Sequence, residues 1–490
     1  MITETSRDCQ VARTRGLLAA VALSALLTAA LLMAVLLTFA APLPVGAQEG
    51  GPIPARASDD VTILNRVVDE ALRNNLGLAQ ERLLVDRAEA ERSEARGRYL
   101  PTVSIDGRYS EQSGSVDLGE FVNPVYATLN QITGTSGFPT DLSVTLPYTY
   151  ESRLRVVQPI LNERARAGMT ASSRALDGQR ARSLAAARAA AAEAQTALLQ
   201  VGAARGARRT WEATLELVEE SERVAERLVE VGSATPDAVY RASAERSRVE
   251  QQVLESRERE AAAARSFNRL VGRPFDAAVE DVPTSVLLRD IDLTEDEAVA
   301  SALGRRDEIR AVEAGIDAAR ASSRLATAGF LPDVSLAFDY GFQGSDVTFA
   351  RDSDFWMASL IVSWSLFDGG QDVARRSAAQ ADIRRMELQR DDTEDLIRLE
   401  VHQAYRAAVV AHGAIATADD QLAAARRTFV LVRRRYEEGL ATPVEFLDAR
   451  TALTEAELNR VITVYSYAIR WVDLERAAGL REMPSMEDAR

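Results

Sequence analysis

Two rhythms of apolar and polar residues run along this chain. The first has a period of two, which marks a strand with one apolar face. After Pro332, the residues Val334, Leu336, Phe338, Tyr340 and Phe342 share one side, and Ser335, Ala337, Asp339, Gly341 and Gln343 share the other. After Pro101, Val103, Ile105 and Tyr109 stand opposite Thr102, Ser104, Asp106 and Arg108. Tyr148, Tyr150, Leu154 and Val156 stand opposite Thr149, Glu151, Arg153 and Arg155. Trp356, Ala358, Leu360, Val362, Trp364 and Leu366 complete the set, with Ser359, Ser363 and Ser365 behind them. The pattern predicts strands over about 101–111, 147–158, 332–343 and 355–367. Each has about 10 to 12 residues, the length a tilted strand needs to cross a bilayer.

The second rhythm steps by three or four, as in Leu422, Ala425, Phe429, Val432 and Tyr436, or Leu447, Thr451, Thr454, Leu458, Val461 and Tyr465. That is coiled-coil spacing. It predicts very long helices over about 162–231 and 368–438, each roughly 100 Å long at 1.5 Å per residue. Helices about half that length follow over 235–271 and 442–478. Shorter first helices occupy about 60–98 and 294–329, the latter started by the capping box Thr294-x-x-Glu297. A first and a third helix end to end nearly match one long helix, so a layered hairpin is expected.

This order occurs twice. Tyr99-Leu100-Pro101 reads against Phe330-Leu331-Pro332 at an offset of 231 residues. Gly232-Ser233-Ala234-Thr235-Pro236 reads against Gly439-Leu440-Ala441-Thr442-Pro443 at an offset of 207. The difference is absorbed by a longer loop in the first copy, Glu111 to Pro147. Two repeats, 59–280 and 291–481, are therefore expected, with a linker at 281–290 and a polar tail at 482–490.

Composition narrows the function. The net charge of −15 argues against general nucleic-acid binding. The single cysteine, Cys9, and two histidines, His402 and His412, cannot build a zinc cluster, and the histidines point to different sides of one helix. No P-loop, GxSxG or HExxH pattern is present, so neither an enzyme nor a cofactor is expected. Arg7, Arg13 and Arg15 precede an apolar run from Leu17 to Ala41, and Val45-Gly46-Ala47 offers small residues for signal cleavage before Gln48. Residues 1–47 read as a signal peptide and 48–58 as a linker, so the rest of the chain is exported.

Alternation alone also fits a soluble sheet on a core. Here the helices already bury their own seams, and Asp106, Arg108, Glu151, Arg153, Arg155 and Asp339 suit a wet lumen. The strands therefore read as membrane strands. Four cannot close a barrel, because bacterial barrels have at least about eight and an open edge in lipid leaves backbone groups unpaired. Identical copies must share one cylinder. Three would supply about twelve strands, by the symmetric closure usual for oligomers.

The order and spacing of these parts resemble the TolC-like outer-membrane efflux family over about 59–481. The Leu-Pro strand starts carry the resemblance, with the strand exit Trp364-Ser365-Leu366-Phe367-Asp368-Gly369-Gly370 and the turn from Tyr436-Glu437-Glu438-Gly439 to Leu447-Asp448-Ala449. The resemblance implies a homotrimer in which a 12-stranded barrel in outer-membrane lipid continues as an α-helical periplasmic tunnel. It also implies a periplasmic adaptor and an inner-membrane pump as partners, for drug, metal or polypeptide export. The turns Gly232, Thr235, Pro236 and Gly439, Thr442, Pro443 would be its adaptor-docking tips. Glu445 and Asp448 match the inward carboxylates of an acidic ring at the tunnel entrance, although Thr442-x-x-Glu445 also reads as a capping box. The basic latch residue of the family is Ala441 here, and its first-copy acid is Ala238, with Asp237 one place early. A different class, an exported coiled-coil scaffold anchored by its N-terminal helix, has no need of four membrane-length strands.

Overall fold

The computed structural model describes residues 59–483, apart from 111–115, 143–144, 147–149, 233, 284–286 and 345–352. The signal segment with Cys9, the linker 48–58 and the tail beyond 483 lie outside the described residues.

The chain runs α1 (Asp59–Asn74), α2 (Leu76–Gly97), β1 (Thr102–Tyr109), β2 (Val116–Asp117), α3 (Gly119–Thr133), β3 (Thr145–Leu146), β4 (Tyr150–Leu161), α4 (Glu163–Glu230) and α5 (Pro236–Val271). It continues with α6 (Glu295–Arg305), α7 (Asp307–Thr327), β5 (Asp333–Gly344), β6 (Asp354–Ser363), α8 (Gln371–Glu437) and α9 (Pro443–Ala477). The two long helices have 68 and 67 residues, about 100 Å each.

Three sequence expectations need correction. Each first helix is two helices. In the first half Asn75 breaks the run, because its side chain accepts from Leu78 N at 3.1 Å and so caps α2. Its amide also donates to Leu270 O at 3.2 Å, and Asn74 donates to Val271 O at 3.2 Å. In the second half the break falls at Arg306, whose extended backbone (φ −74°, ψ 128°) stops α6, while its buried guanidinium holds Glu308 and Glu400. Asn75 and Arg306 stand 231 apart, and Gly272 and Gly479, which end the helices docked on these breaks with φ of 72° and 64°, stand 207 apart. Apolar spacing carries no trace of either break. Secondly, the stretch expected as a loop holds α3, tied to the segment after it by Asn123 with Leu142 and by Asn130 with Phe138. Thirdly, the last strand stops at Ser363, so Trp364 to Phe367 lie beyond it, and the second, whose expected start at 147–149 lies outside the described residues, runs on to Leu161.

Long helices this poor in apolar residues need tertiary packing. On α8, Val401, Ala408, Ile415, Leu422, Phe429 and Tyr436 are all buried at intervals of seven, a heptad seam against α9. On α9 the faces divide. Phe446, Ala449, Leu453 and Ala456 join the α8 seam. The stripe read from the sequence turns instead to α4, where Tyr465 and Val461 fill the spaces left by Gly202 and Gly206 and Thr454 meets Thr214 at 3.1 Å. The largest apolar cluster gathers α1, α4, α5, α8 and α9 at mid-length, around Leu198, Val201, Phe267, Val464 and Tyr467. The strands form one antiparallel sheet in the order β1-β4-β5-β6.

Candidate functional site

Register places six of the sheet's charges on one face. Asp106 stands opposite Arg153, Arg108 opposite Glu151, and Arg155 opposite both Ser104 and Asp339. Arg108 reaches Glu151 at 3.2 Å, Arg153 reaches Glu151 at 3.3 Å and Asp106 at 3.5 Å, and Arg155 lies 3.6 Å from Asp339. All six charges read from the sequence as facing a lumen thus share one ladder.

The sheet is inverted relative to a soluble one. Along β5 its polar or small residues Ala337, Asp339 and Gly341 are buried, while Leu336, Phe338 and Tyr340 between them are exposed. Asp339 is 1% exposed and Trp356, on the apolar face, 70%. A sheet folded for water would reverse these values. The apolar face has aromatic margins as well. Tyr109, Tyr340 and Trp356 mark the end far from the helices, and Tyr99, Phe330 and Trp364 mark the near end. The polar atoms of the near group are satisfied, with Tyr99 Oη donating to Ile160 O at 3.1 Å and Trp364 Nε1 donating to Phe330 O at 3.2 Å. Trp356 to Trp364 spans roughly 26 Å along a strand. At barrel tilt that is about 20 Å, close to the apolar band of an outer-membrane barrel with its two aromatic girdles. Among the described residues, strands β1 and β6 each pair on one side only.

At the opposite end of the helices lie the two tips. Gly232 (φ 75°) and Gly439 (φ 74°) take the left-handed conformation that closes a helix. Behind them Ala234 N donates to Leu228 O at 3.1 Å and Leu440 N to Arg435 O at 2.7 Å. Thr235 and Thr442 then start the return helices, with Pro236 and Pro443 in the first turn. The second tip carries a complete capping box: Glu445 N donates to Thr442 Oγ1 at 3.2 Å, and Thr442 N donates to Glu445 Oε2 at 2.7 Å. The Thr442 backbone N–H holds the Glu445 carboxyl below the usual carboxylate range. Asp448, one turn on, is exposed. In the first tip the Thr235 hydroxyl turns to Asp237 and lowers its pKa, while Ala238 is buried.

About two turns above the second tip, Arg450 of α9 is 1% exposed and ion-paired to Glu245 of α5. Burial lowers the Arg450 pKa. Burial alone would raise Glu245, but the Arg248 hydrogen bond and the Arg450 charge outweigh it and lower its pKa. Sequence reasoning missed this tie and the Gly202/Gly206 joint. A Gly-x-x-x-Gly step inside a long helix was the available signal for the second. The histidines stay apart, His402 bonding Glu295 at 2.8 Å and the His412 ring lying tilted against that of Tyr467, 5.0 Å between centroids.

A sheet with an exposed apolar face and a charged opposite face, joined to long paired helices, is the architecture of an outer-membrane channel subunit. The chain belongs to the outer membrane efflux protein family, whose sequence model matches residues 67–273 and again 298–480. The toluene efflux pump outer membrane protein TtgC of Pseudomonas putida is 25% identical over 448 residues, 85% of this chain and 82% of that protein. The alkaline protease secretion protein AprF of Pseudomonas aeruginosa is 25% identical over 270 residues, 54% of this chain and only 55% of that protein. The outer-membrane channel OprN superposes with a TM-score of 0.70 at 21% identity, covering 86% of this chain and 90% of OprN. The protein resides in the outer membrane.

Proposed function

We propose that three copies of this chain close one barrel and one tunnel, a passive exit duct for small molecules or polypeptides. An inner-membrane pump drives export, and a periplasmic adaptor joins that pump to the duct. The inverted sheet carries this reading. Its apolar face needs lipid, its charged face needs water, and its two open edges cannot stay unpaired in a bilayer. Three copies supply about twelve strands, within the range of bacterial barrels. The adaptor role of the tips rests on their position, since exposed turns at the end of a rigid element commonly carry binding function. Asp448 forms the acidic ring at the tunnel entrance. Glu445 adds charge to it while its carboxylate also serves Thr442. With Ala441 and Ala238 at the family's latch positions, those two positions supply no salt bridge to hold the tip closed. Reconstitution of the purified protein in a planar bilayer tests the duct: discrete ionic conductance steps are expected, and a membrane that stays silent at saturating protein refutes it.

A further inference from the structure

Between β1 and β4, at the strand ends far from the long helices, β2 pairs with β3 and α3 lies between them. The return segment is clamped to one side of α3. Asn123 exchanges hydrogen bonds with the backbone of Leu142 at 2.8 and 3.0 Å. Asn130, two turns on, does the same with Phe138 at 2.7 and 3.0 Å. The Tyr126 ring lies 5.6 Å from that of Phe138. At the start of the helix only glycine fits, because a Cβ on Gly119 would collide with Leu142 O. The clamps hold α3 as one unit with its segment and leave the other side of the helix exposed.

That exposed side is apolar. Leu118, Phe121, Val125, Thr128 and Ile132 follow at steps of three and four, the spacing of a coiled-coil seam. Phe121 is 69% exposed and Ile132 77%, and Leu118 and Val125 are exposed with them. Thr128 donates its hydroxyl to Pro124 O at 2.8 Å, so it brings no free donor to the stripe. A helix that lies on a membrane surface carries Lys or Arg along its polar face. None occurs between Tyr109 and Tyr150, where Glu111, Asp117, Glu120 and Asp141 are all acidic. The stripe is therefore suited to protein. Its flanking positions, Val122, Pro124, Leu129 and Gln131, carry no charge that would select a different chain over an identical one.

The size of the barrel brings identical copies together. Twelve strands about 4.8 Å apart and tilted about 40° close a cylinder about 24 Å across. The 15 residues of α3 make a helix about 22 Å long and, with side chains, about 10 Å wide. Three such helices cannot lie over that opening without touching. A helix this short is marginal alone, but three carried on one rim meet at high local concentration. We propose that the α3 helices of three copies pack stripe to stripe over the outer mouth, with Phe121, Val125 and Ile132 at the common axis, and close the duct there. This rests on the multi-copy reading above and gives the duct a barrier at its outer end.

The test uses the full chain with Cys9→Ser, solubilised from the outer membrane in detergent. Val125→Cys, on the stripe, should give covalent dimers when oxidised, as read on a non-reducing denaturing gel. They should hold at most about two-thirds of the chains, because three thiols around one axis pair only once. Glu120→Cys, exposed but off the stripe, should stay monomeric on the gel. In a planar bilayer the oxidised Val125→Cys channel should conduct less than the same channel after reduction. Equal linking of the two variants, or a conductance that reduction leaves unchanged, overturns the cap. An unlinked Val125→Cys band from protein that light scattering shows to be trimeric also overturns it, and leaves the stripe to lipid or to another partner. Protein that is monomeric in detergent overturns the multi-copy reading with it.

Discussion

Removing Glu245 should loosen the tip region far more than removing Arg450, although the two form one ion pair. The Arg450 side chain is 1% exposed, and its Nε and Nη1 have no hydrogen-bond partner among the described residues. Glu245→Ala leaves that guanidinium buried without a counter-charge, a change that costs about 3–5 kcal/mol. Glu245, by contrast, keeps Arg248 at 2.6 Å and 16% side-chain exposure when Arg450 is lost. Arg450→Met also keeps most of the volume and deletes the two unsatisfied nitrogens, so its cost should be about 1 kcal/mol or less. Native-state hydrogen exchange over residues 446–456 reads the difference. Glu245→Ala should accelerate exchange there by about a hundredfold to a few thousandfold, since about 1.4 kcal/mol is a factor of ten. The double variant Glu245→Ala/Arg450→Met should fall back towards Arg450→Met. Equal acceleration by the two single changes, or a larger effect from Arg450→Met, refutes the asymmetry and the buried-charge reasoning behind it.

Three further outcomes are expected. Neutralising Asp448 and Glu445 together should raise single-channel conductance or weaken block by divalent cations; if both stay unchanged, the two carboxylates are structural. Leu360→Arg, at the middle of the apolar face, should cost about 2–4 kcal/mol of membrane stability and deplete the outer-membrane fraction, whereas Ser359→Arg on the other face should be tolerated; equal losses would contradict the facing. Stability should fall in acid. Glu260, Glu308 and Glu400 are all desolvated, yet they are held below the usual carboxylate range by arginines: Arg205 and Arg208 for Glu260, Arg306 for Glu308, and Arg306 with Arg476 for Glu400. A depressed folded-state pKa gives stability that is full above the ordinary glutamate value of about 4.3 and is lost as pH drops through the lowered value. A melting profile flat from neutral pH down through that window would contradict it.

Much of this was legible because it is periodic. The strands, the long helices and the repeat all follow from spacing in the sequence, and the ends of α4 and α8 fall within about three residues of the expected positions. The six charges of the sheet ladder followed from alternation, since a period of two fixes the face without knowledge of the neighbour. What stayed hidden depends on partners distant in sequence. The break at Asn75 is set by docking against a helix end some 200 residues away, as its bond to Leu270 shows. The tie from Arg450 to Glu245 joins positions 205 apart, and in the sequence Arg450 reads as one more surface arginine. The α3 helix was readable, with Phe121, Val125, Leu129 and Ile132 at helical spacing, but the Gly, Ser and Pro around it mask the signal.

The most direct measurement is the molar mass of the detergent-solubilised protein from the outer-membrane fraction, by light scattering with the detergent contribution subtracted. Three times the mass of the mature chain is expected, because an inverted four-stranded sheet must find its missing edges in identical copies. A monomer that stays soluble once detergent is withdrawn would contradict it.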